Sequence, residues 1–154
     1  MTRDEKAKAR DTVLRLLKFR PRSEQEVQAK LKAKKISDET ITQTIQYFKQ
    51  LQLIDDHQFA KSWITARLAR PFGINRIRFE LKIKGVNDEI IKELLNEIND
   101  PDAQWKAVLT LAEKRSVKYK NLEPRKAKRR IFEYLSRRGF SPDTILKVMR
   151  ELSL

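Results

Sequence analysis

The sequence predicts an all-α protein of three tandem three-helix repeats forming an elongated, curved molecule. Three observations predict it. Apolar residues recur at three- and four-residue spacing along the 154 residues, and no stretch alternates at period two. One apolar pattern returns three times, roughly every fifty residues. Each copy carries the same helix-start design at the same place. Only 3 Gly and 5 Pro argue against a turn-rich all-β sandwich.

The copies align on Lys35, Gly85 and Gly139, which stand 50 and 54 residues apart. Eight residues before each anchor lies Val27, Ile77 or Ile131, and four before lies Leu31, Leu81 or Leu135. Six after lies Ile41, Ile91 or Ile145, ten after lies Ile45, Leu95 or Met149, and thirteen after lies Phe48, Ile98 or Leu152. A repeat of this length means stacked helical units.

Taken in order, each unit has a leading helix, a second helix ending at the anchor, and a third starting just beyond it. The leading helices are expected over 4–19, 56–69 and 102–118. The units are expected over 1–54, 55–100 and 101–154, with short connections at Pro21-Arg22-Ser23, Arg70-Pro71-Phe72-Gly73 and Asn121-Leu122-Glu123-Pro124. Gly85 and Gly139 suit a left-handed helix stop. Lys35 in that conformation costs about 1 kcal/mol. The third helices open on Ser37, Asn87 and Ser141, whose side chains accept hydrogen bonds from orphan helix N–H groups. Ile36, Val86 and Phe140 precede these caps, five residues before Ile41, Ile91 and Ile145: a hydrophobic staple in every copy. Acidic residues follow the caps, where the helix dipole favours them, and Pro142 suits the first helical position.

Charge narrows the function. Lys and Arg total 35 against 21 Asp and Glu, for a net charge of +14. That excess points to a polyanionic partner, nucleic acid or an acidic protein surface. It is uneven: net +6 over 1–54, zero over 55–100 and +8 over 101–154. The chain has no Cys and a single His, His57. No disulfide scaffold, thiolate metal site, cysteine nucleophile or multi-His site is therefore possible, and no cofactor or metal is expected. Asp55-Asp56-His57 reads as a cap and first-turn acid, since adjacent carboxylates point apart. Three scattered glycines build no phosphate-cradling loop, so no catalytic residue is expected. The absence of Cys fits a reducing compartment, no window approaches a membrane span, and Met1-Thr2-Arg3 opens a polar N-terminus without an apolar signal core; a cytoplasmic protein is expected.

The densest basic run is Arg125-Lys126-Ala127-Lys128-Arg129-Arg130. On a helix whose inner face carries Ala127, Ile131 and Leu135, Lys126, Arg130 and Arg137 form an outward stripe with Arg129 beside it. That stripe is either a contact for phosphates or acidic protein, or a solvated helix face. Lys34, Lys84 and Arg138 precede the three anchors; they either complement a helix dipole or contact a ligand. Phe59, Trp63, Phe79 and Trp105 at helical spacing read as core rather than as stacking platforms for bases.

Several segments together resemble the RecX family of recombinase regulators. They are Arg22-Ser23-x-x-Glu26-Val27-x-x-Lys30-Leu31, Leu53-Ile54-Asp55-Asp56-x-x-Phe59-Ala60, Arg67, Gly73-x-x-Arg76-Ile77-x-x-Glu80-Leu81-x-x-Lys84-Gly85-Val86 and Arg137-Arg138-Gly139-Phe140. The resemblance runs from about Ala9 to the C-terminus. It implies tandem three-helix repeats and a non-catalytic role: binding the RecA filament on DNA and inhibiting its ATPase, strand-exchange and coprotease activities. Filament or DNA contacts are expected at Arg76, Lys84, Lys126, Arg129, Arg130, Arg137 and Arg138, with a monomer binding single- and double-stranded DNA with weak sequence selectivity. The alternatives are a stand-alone basic helical DNA-binding protein, whose helix corners mimic a helix-turn-helix, and a structural helical scaffold.

Overall fold

The computed structural model describes residues 3–154. Among the described residues there are nine helices and no strand. Met1 and Thr2, part of the polar N-terminus read above, lie outside the described residues. The first three helices are α1 (Arg3–Phe19), α2 (Glu24–Ala33) and α3 (Asp38–Gln50). The next three are α4 (Asp56–Leu68), α5 (Ile74–Ile83) and α6 (Asp88–Ile98). The last are α7 (Pro101–Lys118), α8 (Pro124–Arg137) and α9 (Pro142–Glu151). Pro124, read as part of a connection, instead opens α8, where its missing N–H costs no helical bond.

The three anchors are left-handed: φ is +61° at Lys35, +80° at Gly85 and +92° at Gly139. At each, the second residue past the helix reaches back to the same carbonyl position. Ile36 N donates to Leu31 O at 3.1 Å, Val86 N to Leu81 O at 3.1 Å and Phe140 N to Leu135 O at 3.2 Å. This is the Schellman closure, made three times. The caps form as expected: Ser37 Oγ accepts from Thr40 N, Asn87 Oδ1 from Glu89 N and Ser141 Oγ from Thr144 N. Two further left-handed corners, at Gln52 and Ser153, close α3 and α9 without glycine.

The four inner columns of the repeat are buried in all three copies, as are the staple residues Ile36, Val86 and Phe140. In the fifth column Phe48 is buried, while Ile98 and Leu152 are half-buried. Phe59 is buried, and Trp63 and Trp105 are half-buried. Phe79 departs from the core expectation at 63% exposed. At about 100° per residue it lies roughly 200° around α5 from both Ile77 and Leu81, which hold the buried face.

Contacts divide the chain into two units. One joins the described residues up to Trp63 with Leu81–Lys92, and the other joins Ile64–Glu80 with Glu93–Leu154. Each middle helix, α4, α5 and α6, is thus divided between them. The first unit is centred on Val13, Val27, Leu31, Ile41 and Phe48, the second on Val108, Ile131, Leu135, Ile145 and Val148. Full burial of one such side chain contributes about 1.5–3 kcal/mol. Among the described residues, no helix is long and apolar enough to cross a membrane.

Candidate interaction surface

In the first unit, the N-terminus of α2 meets the C-terminus of α5. Ser23 is fully buried; its Oγ accepts from Glu26 N and donates to Lys84 O at 2.8 Å. Glu26 returns the favour to Ser23 N at 3.2 Å, completing a capping box. Its carboxylate also takes hydrogen bonds from Arg20 and from Lys84 Nζ, the latter at 3.1 Å. Burial alone would raise the Glu26 pKa, but the bonds from Arg20, the Ser23 amide and Lys84 outweigh it and hold the group at about 2. Gln25 Nε2 donates to Ile83 O at 2.9 Å, and a Cβ on Gly85 would overlap the Gln25 side chain. Asp56 Oδ1 accepts from Glu24 N at 2.9 Å, so a carboxylate of α4 caps α2; burial pushes its pKa up. Asp55 caps α4 itself, accepting from His57 N and Gln58 N.

The second unit uses the equivalent positions differently. Gly73, twelve residues before its anchor as Ser23 is before Lys35, donates its N–H to Arg138 O at 2.7 Å. Asn75 N donates to Gly139 O at 3.0 Å. A Cβ at Gly73 would collide with the Gly139 and Phe140 backbone, so only glycine allows this approach. Where the first copy has Glu26, the second has Arg76. It meets no carboxylate there: its Nη1 donates to Arg137 O at 3.4 Å. The cations gather on the buried ring of Phe72 instead. The guanidinium carbons of Arg76, Arg138 and Arg67 lie 4.7, 4.8 and 5.1 Å from its centroid. Each such contact is worth about 0.5–2 kcal/mol.

Glu80 accepts from Arg67 Nη2 at 2.7 Å. Arg138 is further oriented by donating to the Tyr134 hydroxyl at 3.2 Å. Burial opposes ionisation of that phenol, but hydrogen bonds from Arg115 and Arg138 outweigh it and draw its pKa below the usual value. Beside the cluster runs a groove of about 410 Å³ lined by Arg76, Phe79, Ser136 and Arg137, with the exposed Phe79 ring along it. Crowded guanidinium groups favour an incoming anion, a phosphate or a carboxylate.

The structure thus brings Arg76, Arg137 and Arg138 together. Lys84 belongs to the first unit, where it pairs with Glu26. Lys126, Arg129 and Arg130 lie exposed along α8, with Arg130 stacked 5.9 Å from the Tyr119 ring. Ile131 and Leu135 hold the inner face as expected, and Ala127 is half-buried. Sequence reasoning did not assign Phe72 or Arg67 to the site. Nothing in the repeat pattern marks them, because the matching positions of the first copy are Arg22 and Leu17.

Tandem three-helix units define a helical-repeat protein. The chain belongs to the RecX family: models of that family's first, second and third three-helix domains match residues 9–48, 55–95 and 102–149. It is 36% identical over 149 residues to a regulatory protein RecX from Bacillus licheniformis, covering 96% of this chain and 56% of the relative. It is 31% identical over 153 residues to one from Prosthecochloris aestuarii, covering 99% and 98%. A crystal structure of RecX from Lactobacillus salivarius is similar over 99% of both chains, with a TM-score of 0.85 and 29% identity. A second crystal structure of a regulatory protein RecX gives a TM-score of 0.83 at 27% identity, over 96% of this chain and 72% of the other.

Proposed function

We propose that this chain is a non-catalytic regulator that binds the RecA recombinase filament on DNA and inhibits its ATPase, strand-exchange and coprotease activities, thereby modulating recombination, DNA repair and the SOS response in the cytoplasm. One observation carries the reading: the three RecX domains match in order, from residue 9 to residue 149. The chemistry of the molecule agrees with a polyanionic target. Its net charge is +14, and three guanidinium groups cluster around Phe72.

In this reading Arg76, Arg137 and Arg138 form one contact, and Lys126, Arg129 and Arg130 of α8 form another. Lys84 orders the α2 corner of the first unit, where it bonds Glu26. The chain acts as a monomer and needs no cofactor.

Co-sedimentation tests the proposal. The chain should pellet with RecA filaments assembled on single-stranded DNA at physiological salt, and much less with the same DNA lacking RecA. Equal sedimentation with bare DNA would replace this reading with that of a stand-alone basic DNA-binding protein, which the net charge of +14 also favours.

A further inference from the structure

The third copy of the repeat differs from the other two in one consistent way. Between α8 and α9 lies a groove of about 430 Å³ with Met149 at its base and Phe132, Leu146 and Leu154 along it. Met149 belongs to the shared core column, and its counterparts Ile45 and Leu95 are apolar. Phe132 and Leu154 are half-buried against that core, while Leu146 is exposed, and none of the three is apolar in the other copies. Phe132 stands where the earlier copies have Gln28 and Arg78, Leu146 where they have Thr42 and Lys92, and Leu154 where they have Gln50 and Asp100.

The rim changes in step. Lys128, Arg129 and Arg150 line the same groove. Their counterparts are Glu24 and Ile74, Gln25 and Asn75, and Gln46 and Asn96. Six positions therefore differ together, three to apolar and three to cationic. The three rim cations are exposed, and Leu146 is 45% exposed. A leucine kept on the surface between arginines, at a register position where threonine and lysine serve the same fold, is not required for folding.

We propose that the α8–α9 groove docks an acidic amphipathic helix of a partner protein. Its apolar stripe lies on Phe132, Leu146 and Leu154, and its flanking carboxylates pair with Lys128, Arg129 and Arg150. Two helices side by side leave a trough that accepts a third helix through residues at i, i+3, i+4 and i+7. The cationic rim selects acidic flanks and rejects basic ones. A phosphate backbone would use the rim but leave the aliphatic floor unused, so the groove fits protein better than nucleic acid. The proposal rests on the reading of the chain as a protein-binding regulator, and it assigns this face to protein contact.

The probe is a short synthetic amphipathic helix with Leu at i, i+3, i+4 and i+7 and Glu elsewhere, titrated into the full chain while backbone amide shifts are followed. Saturable shifts are expected at Phe132, Leu146 and Arg150. A version with Lys in place of Glu should produce none. The double substitution Leu146→Thr/Arg150→Gln installs the first copy's residues. It should leave amides outside the groove unmoved and weaken peptide binding by about tenfold or more. Equal binding of both peptides, unaltered binding by the double variant, or the same shifts from a single-stranded oligonucleotide would overturn the proposal. Co-sedimentation of the parent with RecA filament, measured alongside, separates the two claims. Sedimentation without peptide binding sinks the groove alone, and peptide binding without sedimentation sinks the filament reading alone.

Discussion

Lys84 Nζ lies 3.1 Å from Glu26 Oε2 across 58 residues of sequence. That contact ties the end of α5 to the start of α2, where the Glu26 carboxylate already bonds Arg20 and the Ser23 amide. The arrangement makes one half-buried acid answer for two cations and one helix start.

Acid stability follows from it. Glu26 is held at about 2 against an ordinary 4.5. A depressed acid contributes its stability in full above 4.5 and loses it as pH falls from 4.5 towards 2. Linkage over that shift gives about 3 kcal/mol before solvent screening, so Glu26→Gln should cost roughly 2–3 kcal/mol at neutral pH. It should also flatten the parent's decline in urea-unfolding free energy across that acid window. Parallel pH profiles for parent and variant would show that Glu26 is not the group responsible.

The corners make a second prediction. Lys35 holds φ at +61° where the other copies use glycine. Lys35→Gly should raise stability by about 1 kcal/mol, which is roughly 2–4 °C in melting temperature for a chain of this size. Gly85→Ala should act in the opposite sense, because φ there is +80° and the added methyl meets Gln25. Thermal melts of the two variants moving in the same direction would contradict this account.

Much of the fold was legible because its causes are local. Ser37, Asn87 and Ser141 announce helix starts, and Ile36, Val86 and Phe140 staple them, whatever lies elsewhere in the chain. Even Ser23-x-x-Glu26, the capping box, is written locally. What could not be read is its third partner, Lys84, because only the packed fold brings the end of α5 there. The same holds for the site. Arg76, Arg137 and Arg138 stood out by sequence, but Phe72, the ring that collects them, looks like any connection residue. Phe79 was misplaced because helical spacing alone does not say which face of α5 is buried. The closures at Gln52 and Ser153 escaped notice because neither residue is the usual choice for a left-handed position.

Binding to DNA should be electrostatic. If about four to six phosphates are neutralised, log affinity should fall against log salt with a slope of about −3 to −5. Fluorescence anisotropy of a labelled oligonucleotide across a salt series measures it directly. A flat dependence would remove the charge excess as the source of affinity.

Charge reversal on α8 separates contact from solvation. Arg129 and Arg130 are exposed, so Arg129→Glu/Arg130→Glu should leave the melting curve nearly unchanged. Inhibition of the RecA filament should weaken by about tenfold or more, as for the loss of two charge-assisted contacts. Lys92→Glu, on the exposed face of α6 in the segment with no net charge, should change inhibition much less. A folded double variant that inhibits as well as the parent would make the stripe a solvated face and move the contact to Arg76 and its neighbours.

The most direct measurement is ATP hydrolysis by RecA on single-stranded DNA, titrated with the purified chain. Regulation of the filament predicts a fall in ATPase rate at chain-to-RecA ratios well below stoichiometry, with an unrelated DNA-dependent ATPase unaffected under the same conditions. A RecA rate that stays unchanged at equimolar chain, or that falls only when the chain coats the DNA and silences both enzymes alike, would contradict it.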